Sequence, residues 1–151
     1  MSTINSGDTA WLLVSTALVM LMTPGLALFY GGMVQSKNIL STFMHSFFAL
    51  GIVSIQWAVI GYSLAFGTSH HGLIGGFDYA LLDGVGMEAK GTVPHLAFMA
   101  YQCMFAVITP ALISGAYAER LKFGAYCAFT LAWVTLVYDP VAHWVWGPGG
   151  W

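Results

Sequence analysis

The sequence predicts an all-α fold, a polytopic membrane bundle of about four transmembrane helices. Of its 151 residues, 58% are hydrophobic and 7% are charged, and the mean hydropathy is +0.77. Soluble proteins carry about 25% charged residues, so this chain lacks the polar surface that water requires. The few charges also divide it into apolar runs of roughly the 20 residues that cross a bilayer. Lipid is therefore the expected solvent for most of its surface.

Four helices are predicted, at about residues 9–34, 39–66, 92–118 and 122–146. The first lies between Asp8 and Lys37 and contains Pro24, which favours a kink. The second ends at the glycine and hydroxyl residues 67–69. The third opens near Pro94, a residue suited to a first helical turn. The fourth follows directly on a short charged turn.

The stretch 67–91 is predicted to be a solvated loop, because it is rich in glycine and carries charged and histidine side chains. A short amphipathic piece is expected around residues 77–82. In the third helix, Ala111 and Gly115 lie four positions apart, a spacing that lets another helix approach closely. The alternative is that small residues are simply common in membrane helices.

The few cations predict the orientation of the chain. One side of the predicted bundle carries three of them and the other side carries only Lys90; the three are Lys37, Arg120 and Lys122. Because loops rich in Lys and Arg stay in the cytoplasm, the N-terminus and the 67–91 loop are expected outside the cell. The protein is then a multi-pass component of the plasma membrane.

The composition excludes several classes of function. Four Lys and Arg residues and a net charge of -2 leave no basic surface for nucleic acid. Cys103 and Cys127 lie in apolar runs, which favours buried thiols over a disulfide or a metal pair. No Ser, Cys or His stands in a recognisable nucleophile–base arrangement. Neither catalytic residues nor a metal or cofactor are predicted, and the protein is not expected to be an enzyme.

Aromatic and polar side chains collect at the predicted outer ends of the third and fourth helices. Within about three turns of the outer end of the third helix lie Tyr101, Gln102 and Phe105. Trp146 lies at the outer end of the fourth helix. Because antiparallel neighbours share this depth, Phe105 and Trp146 are expected to face each other across an outer vestibule. Their ring faces attract small, weakly hydrated cations. The alternative is the interfacial aromatic belt of most membrane proteins.

Polar groups within the apolar runs are candidates for function, because they are costly in hydrocarbon. Asp139 is a cation attractor or proton relay in one interpretation; in the preferred one it reaches lipid headgroups or caps a chain end. Pro140, which follows it, is expected to break or kink the helix. His95 and His143, at similar depth, have the alternative of ligating a haem across the bundle. Otherwise they pack between helices.

Three stretches carry a resemblance to a known family. Residues 23–32, followed by Lys37-Asn38, resemble the first helix and turn of the ammonium transporter family (the Amt, Mep and Rh group). Residues 114–120 resemble the end of its third helix and residues 140–147 the end of its fourth. The order and spacing agree along the chain and indicate the Amt branch.

The resemblance implies an eleven-helix fold that assembles as a homotrimer with one pore in each subunit. It implies that Trp146 supplies a cation-π face for ammonium and that Phe105 contacts the same site and forms one gate ring. Tyr101 and Gln102 would line the approach. The implied function is transport: ammonium is recruited outside, deprotonated, and passed as ammonia through a hydrophobic pore.

Residues 1–151 are expected to be the N-terminal part of such a transporter domain. The family's two pore histidines match none of His45, His95 and His143. An ammonium sensor of the same fold, coupled to a signalling domain, stays an alternative, as does a haem-binding membrane subunit. A cytoplasmic regulatory protein is a further partner that the sequence leaves open.

Overall fold

The structure is a computed structural model that describes residues 3–151. Within this range, four helical spans are long and apolar enough to cross a membrane. They are Ser6–Gly31, Ser36–Phe66, His95–Tyr117 and Phe123–Trp146. The predicted bundle of four transmembrane helices is therefore confirmed.

The first span is a single helix, α1, which runs from Ser6 to Gly31. Its first turn is capped by Asn5, whose side-chain oxygen accepts hydrogen bonds from the amides of Gly7 (2.8 Å) and Asp8 (3.2 Å). This cap satisfies two of the free amides at the helix start, which is why the helix begins before the predicted residue 9. The helix continues through Pro24 and ends three residues earlier than predicted.

The second and fourth spans are each interrupted by one π-helical segment. In the second span, α2 (Ile39–Gln56) is followed by the π-helical segment Trp57–Gly61 and then by α3 (Tyr62–Phe66). The third span is the single helix α4 (His95–Tyr117). In the fourth, α5 (Phe123–Trp133) leads through the segment Val134–Tyr138 into α6 (Asp139–Trp146).

The Asp139-Pro140 step therefore does not end the fourth helix. Pro140 lies in the first turn of α6, where its missing amide donor removes little hydrogen bonding. The irregularity lies one turn earlier, in the π-helical segment. Hydropathy did not reveal it, because a π-helical turn changes backbone hydrogen bonding and not composition.

The long loop between α3 and α4 contains two small antiparallel hairpins that the sequence did not predict. They pair β1 (Ser69–His70) with β2 (Ile74–Gly75), and β3 (Ala89–Lys90) with β4 (Val93–Pro94). Pairing of β4 with β3 moves the start of the third helix from the predicted residue 92 to His95. Within the expected amphipathic piece, only Ala80–Leu82 form a short 3-10 turn.

We call the end of the bundle that carries this loop the loop end, and the opposite one the turn end. The larger core lies toward the loop end and is built around Val53, Trp57, Tyr62, Val107 and Val134. A smaller cluster of Ala49, Ala111 and Tyr126 lies toward the turn end. The buried residues of both clusters come from the second, third and fourth spans, and Leu26 of α1 packs against the smaller cluster.

Two contacts of Tyr30 join α1 to α4. The ring of Tyr30 lies on Gly115, where an added Cβ would come within 2.5 Å of its Cε1 atom. The hydroxyl of Tyr30 donates a hydrogen bond of 2.7 Å to the carbonyl oxygen of Leu112. The small residue predicted to permit a close approach thus accommodates an aromatic ring.

Candidate functional site

The aromatic residues singled out in the sequence meet at the loop end. The ring centroids of Phe105 in α4 and Trp146 in α6 lie 6.5 Å apart, with the planes inclined at 53°. Tyr101, one turn before Phe105, packs edge-to-face on it at 5.0 Å. The neighbouring Gln102 is buried at 8% exposure and faces the bundle interior. We call Phe105 and Trp146 the aromatic pair.

Trp146 is accessible from one side, with 52% of its surface exposed. It is the last residue of α6, and the backbone just after it is held by a hydrogen bond of 2.9 Å from the amide of Gly147 to the carbonyl oxygen of His143. The exposed indole beside the half-buried ring of Phe105 can present aromatic faces to a cation. The pair itself offers no carboxylate.

Two other tryptophans at this end, Trp144 and Trp151, make contacts within the chain. The indole nitrogen of Trp144 donates a hydrogen bond of 2.7 Å to the carbonyl oxygen of Leu73 in the long loop. Its ring stacks on Trp151 at 6.2 Å. Trp144 therefore joins α6 to the loop, a packing role that differs from the open position of Trp146.

An apolar cavity of about 260 Å³ lies between Thr109 of α4 and the fourth span, and Trp146 forms part of its wall. Its lining combines aliphatic and aromatic side chains, namely Thr109, Trp133, Val137, Tyr138, Val141, Ala142, Val145 and Trp146. Such a lining suits an apolar side chain or a lipid tail better than a hydrated ion. The cavity therefore does not extend the aromatic pair into a polar pathway.

The structure does not favour haem ligation by His95 and His143. The nitrogens of His143 lie 3.0 Å from the carbonyl oxygen of Ala65 and 3.0 Å from Oγ of Ser69. Those of His95 are engaged by Tyr62 and Glu88. With both nitrogens of each ring occupied by the protein, neither histidine presents a free atom to iron.

Asp139 does not reach lipid headgroups, as its sequence position had suggested. It is fully buried, and its Oδ2 accepts a hydrogen bond of 2.7 Å from Nε2 of Gln56. The same nitrogen lies 3.2 Å from Oγ1 of Thr135. The expectation was wrong because packing against the second span, and not depth alone, sets the surroundings of the carboxyl group.

Sequence reasoning did not identify Gln56, the partner of Asp139. Its only signal was an amide side chain within an apolar run, and such groups are retained where they find a partner. The sequence likewise did not reveal Lys90 as more than a loop cation. Within residues 3–151, no group of three His, Cys, Asp or Glu side chains converges to hold a metal ion. Cys103 and Cys127 are free thiols.

Comparison with known proteins gives the relationships of this chain. The sequence pattern of the Ammonium Transporter Family matches residues 10–151. An ammonium transporter of Bacillus subtilis is 57% identical over 148 residues, which cover 96% of this chain and 36% of that protein. Ammonium transporter Amt1 of Archaeoglobus fulgidus is 48% identical, over 97% of this chain and 36% of that protein.

Solved structures show the same fold. Mep2 of Candida albicans superposes with a TM-score of 0.88 at 35% identity, over 98% of this chain and 33% of that one. A protein described as a sensor Amt protein superposes with a TM-score of 0.85 at 28% identity, over 92% of this chain and 34% of that one. This chain thus spans about a third of the length of these relatives. The match over nearly the whole chain shows that it belongs to the Ammonium Transporter Family.

Proposed function

We propose that this chain takes part in transmembrane transport of ammonium or ammonia, as the N-terminal part of a transporter domain. Its relatives in Bacillus subtilis and Archaeoglobus fulgidus are named ammonium transporters rather than enzymes. Because the chain spans about a third of their length, its share of the activity is inferred from its own residues. The share that we assign to it is recruitment of ammonium at the aromatic pair.

The contact between Phe105 and Trp146 is the observation that carries this proposal. Their centroids lie 6.5 Å apart at the exposed end of α6, where a cation arriving from water meets the indole face. Each aromatic face attracts a cation by about 0.5–2 kcal/mol, and the attraction grows as water is excluded. Tyr101 and Gln102 line the approach on the side of α4.

Aromatic faces alone separate ions of similar radius poorly, so selectivity over potassium requires hydrogen-bond acceptors and proton transfer. Deprotonation also has an energetic reason. A charge near the middle of a bilayer costs several kcal/mol or more, whereas neutral ammonia avoids most of that cost. Ammonium bound at the aromatic pair therefore gives up its proton to water at the loop end and continues as ammonia into the hydrophobic part of the path.

The charges support an orientation with the loop end outside the cell and the N-terminus on the same side. Lys37, Arg120 and Lys122 lie at the turn end, which is then cytoplasmic in the plasma membrane. Large apolar side chains of α1 are exposed, including Trp11, Leu21 and Phe29. This surface suits contact with lipid or with further subunits of a homotrimer. The turn end is the face that a cytoplasmic regulatory protein would meet.

A sensor of the same fold is the second candidate, and the likeness to a sensor Amt protein is the observation for it. The four spans do not distinguish the two functions, because both kinds of protein share them. The more similar relatives are named transporters, which favours transport.

The test is replacement of Trp146 by Leu in the complete natural polypeptide that carries this sequence, with uptake of labelled methylammonium as the measurement. Loss of one cation-π face is expected to raise the half-saturating concentration by about 2- to 30-fold. The matched control is Trp11→Leu, the same substitution at a tryptophan that is 74% exposed on α1. Unchanged uptake kinetics in Trp146→Leu, at equal amounts of protein in the membrane, would refute recruitment at this residue.

A further inference from the structure

The ammonium group of Lys90 lies among four aromatic rings at the loop end. Its side chain leaves strand β3 and turns inward over the ends of α3 and α4. The Nζ atom lies close to the ring centroids of Phe98 (4.8 Å), Phe66 (5.0 Å), Tyr62 (5.2 Å) and Tyr79 (5.7 Å). All four distances fall within the roughly 6 Å at which a ring attracts a cation. We call these four rings the Lys90 cage.

One acceptor, the Tyr62 hydroxyl, and the neighbouring His95 ring complete the surroundings of this ammonium group. Nζ of Lys90 donates a hydrogen bond of 2.9 Å to the hydroxyl of Tyr62 and lies 3.3 Å from Nε2 of His95. Nδ1 of His95 lies 3.1 Å from the carboxylate of Glu88, an acceptor that holds the imidazole proton on Nδ1. Nε2 is then the acceptor nitrogen, and the Tyr62 hydroxyl, 2.6 Å away, donates to it.

The cage is built into the core and does not depend on the lysine for its shape. Tyr62 and Phe66 are buried and pack on Trp57, with ring centroids 5.9 Å and 6.3 Å from the indole. Tyr79 comes from the long loop, and Phe98 packs edge-to-face on Phe66 at 5.3 Å. Three separate segments thus converge on one point, and their positions are set by packing among themselves.

The lysine is charged in this position at neutral pH. Burial lowers the pKa of Lys90 to about 8, because the amine loses contact with water. The aromatic faces and the Tyr62 oxygen act in the opposite direction, since they favour the ammonium form over the neutral amine. The Glu88 carboxylate and the His95 ring are the other titratable groups that face this cluster, along with the hydroxyls of Tyr62 and Tyr79.

We propose that the Lys90 cage is a recognition site for a primary ammonium group, occupied by the chain's own lysine, and that a small alkylammonium ion enters it when the Lys90 side chain is removed. The ring faces require a positive charge, and the Tyr62 oxygen, whose own proton goes to His95, requires an N–H donor. Potassium and tetramethylammonium supply the charge without the donors. The site therefore takes primary ammonium ions with a short apolar stem.

This site is separate from the aromatic pair and has a different consequence. A ligand attached to the chain has an effective concentration on the order of millimolar, so free ions at lower concentration do not displace it. In the intact protein the lysine thus acts as a latch that holds the β3–β4 hairpin against α3 and α4. Binding of the Lys90 ammonium group in the cage thus holds the long loop on the loop end of the bundle.

The test compares Lys90→Ala with the intact protein by thermal unfolding, in the complete natural polypeptide in detergent or nanodiscs. The substitution is expected to lower the unfolding midpoint by about 5 °C. Titration with ethylammonium is expected to restore most of that loss with a saturable dependence on concentration. Potassium and tetramethylammonium at equal ionic strength are expected to restore none. Lys122→Ala, at an exposed lysine of the turn end, is the control without an ethylammonium response.

Two further variants keep the proposal testable if Lys90→Ala does not fold. Lys90→Met fills the same volume without a charge, and Lys90→Arg keeps both the charge and the N–H donors. Recognition of a cation predicts that Arg retains more of the stability than Met does, and that it retains less than the native lysine because its guanidinium is larger and planar. Equal stability of the Met variant and the intact protein overturns the proposal. Equal rescue of Lys90→Ala by potassium and ethylammonium, or no rescue of the folded variant, overturns it as well.

Discussion

The side-chain nitrogen Nε2 of Gln56 donates a hydrogen bond of 2.7 Å to Oδ2 of Asp139, which lies 83 positions later in the sequence. Gln56 directly precedes the π-helical segment of the second span, and Asp139 directly follows that of the fourth. Gly61 makes room for the pair, because a Cβ there would lie 2.6 Å from Oε1 of Gln56. The two interrupted spans are thus joined at their interruptions.

Replacement of Asp139 by Ala is expected to destabilise the bundle. It leaves the buried amide of Gln56 without its carboxylate acceptor and opens a void, at a cost of about 2–3 kcal/mol. Asp139→Asn keeps the size and one acceptor oxygen, and is expected to cost less than half as much. Unfolding in detergent by heat or denaturant measures both.

A double-mutant cycle with Gln56→Ala isolates the interaction itself. The losses in unfolding free energy of the two single variants are expected to sum to more than the loss of the double variant. The reason is that each single substitution removes the same hydrogen bond. Equal losses for Asp139→Ala and Asp139→Asn, or strict additivity, would show that the hydrogen bond contributes nothing.

The contact of Tyr30 with Gly115 predicts opposite effects for two glycine substitutions. In Gly115→Ala, the new Cβ would lie 2.5 Å from Cε1 of Tyr30, and the ring is held by its hydrogen bond to Leu112. Displacement of the ring is expected to cost about 1–3 kcal/mol. At Gly124 in α5, no atom lies within 4 Å of an added Cβ. Gly124→Ala is expected to stabilise by up to about 1 kcal/mol through helix propensity.

Thermal unfolding of both variants beside the intact protein measures this difference. If Gly115→Ala were as stable as Gly124→Ala, the packing of Tyr30 on the third span would not matter for stability. In a Tyr30→Ala background, Gly115→Ala is expected to cost less than it does in the intact protein, because the ring that the new Cβ would meet is gone.

The carboxylate of Glu119 joins the two turns at the turn end and predicts a dependence on acidity. It accepts hydrogen bonds from Nδ2 of Asn38 (2.8 Å) and from the amide of Gln35 (2.9 Å). These hydrogen bonds lower the pKa of Glu119 below its ordinary value of 4.5, and the bond from Asn38 has the larger effect. The unfolded chain then binds the proton more readily than the folded one. The stabilisation is present above pH 4.5 and is lost as the pH falls through the lowered pKa.

Unfolding midpoints from about pH 6 to about pH 3 check this, with Glu119→Gln as the variant. Glutamine has nearly the same shape and does not titrate, so stability is expected to fall less steeply with acid in this variant; the part that remains comes from other carboxylates such as Asp78 and Glu88. Parallel pH curves for the two proteins would mean that the Glu119 carboxylate makes no contribution of this kind.

Much of the architecture follows from local properties of the chain. Four apolar runs separated by charges predicted the four spans, because bilayer thickness sets the length of an apolar helix. Helices joined by short turns lie antiparallel, so depth could be read from position, and Phe105 and Trp146 were expected to face each other. The structure brings these two rings to 6.5 Å.

Other features came from packing that no stretch of sequence shows. Asp139 is fully buried because the second span brings Gln56 to it, and Lys90 is drawn inward by rings from three segments. The β3–β4 hairpin and the two π-helical segments were likewise not visible in the sequence. Their hydrogen bonds and crowded side chains can be assigned only when both partners are in place.

The sequence by itself thus determined that the chain spans a membrane, how many times it does so, and which aromatic residues share a depth. These properties depend on composition and on the rise of a helix. Only the tertiary structure decided which polar and charged groups meet inside the bundle. Such groups are stabilised by partners remote in the chain, and apolar periodicity carries no record of those partners. The aromatic pair could therefore be expected from the sequence, whereas the Lys90 cage became visible only in the tertiary structure.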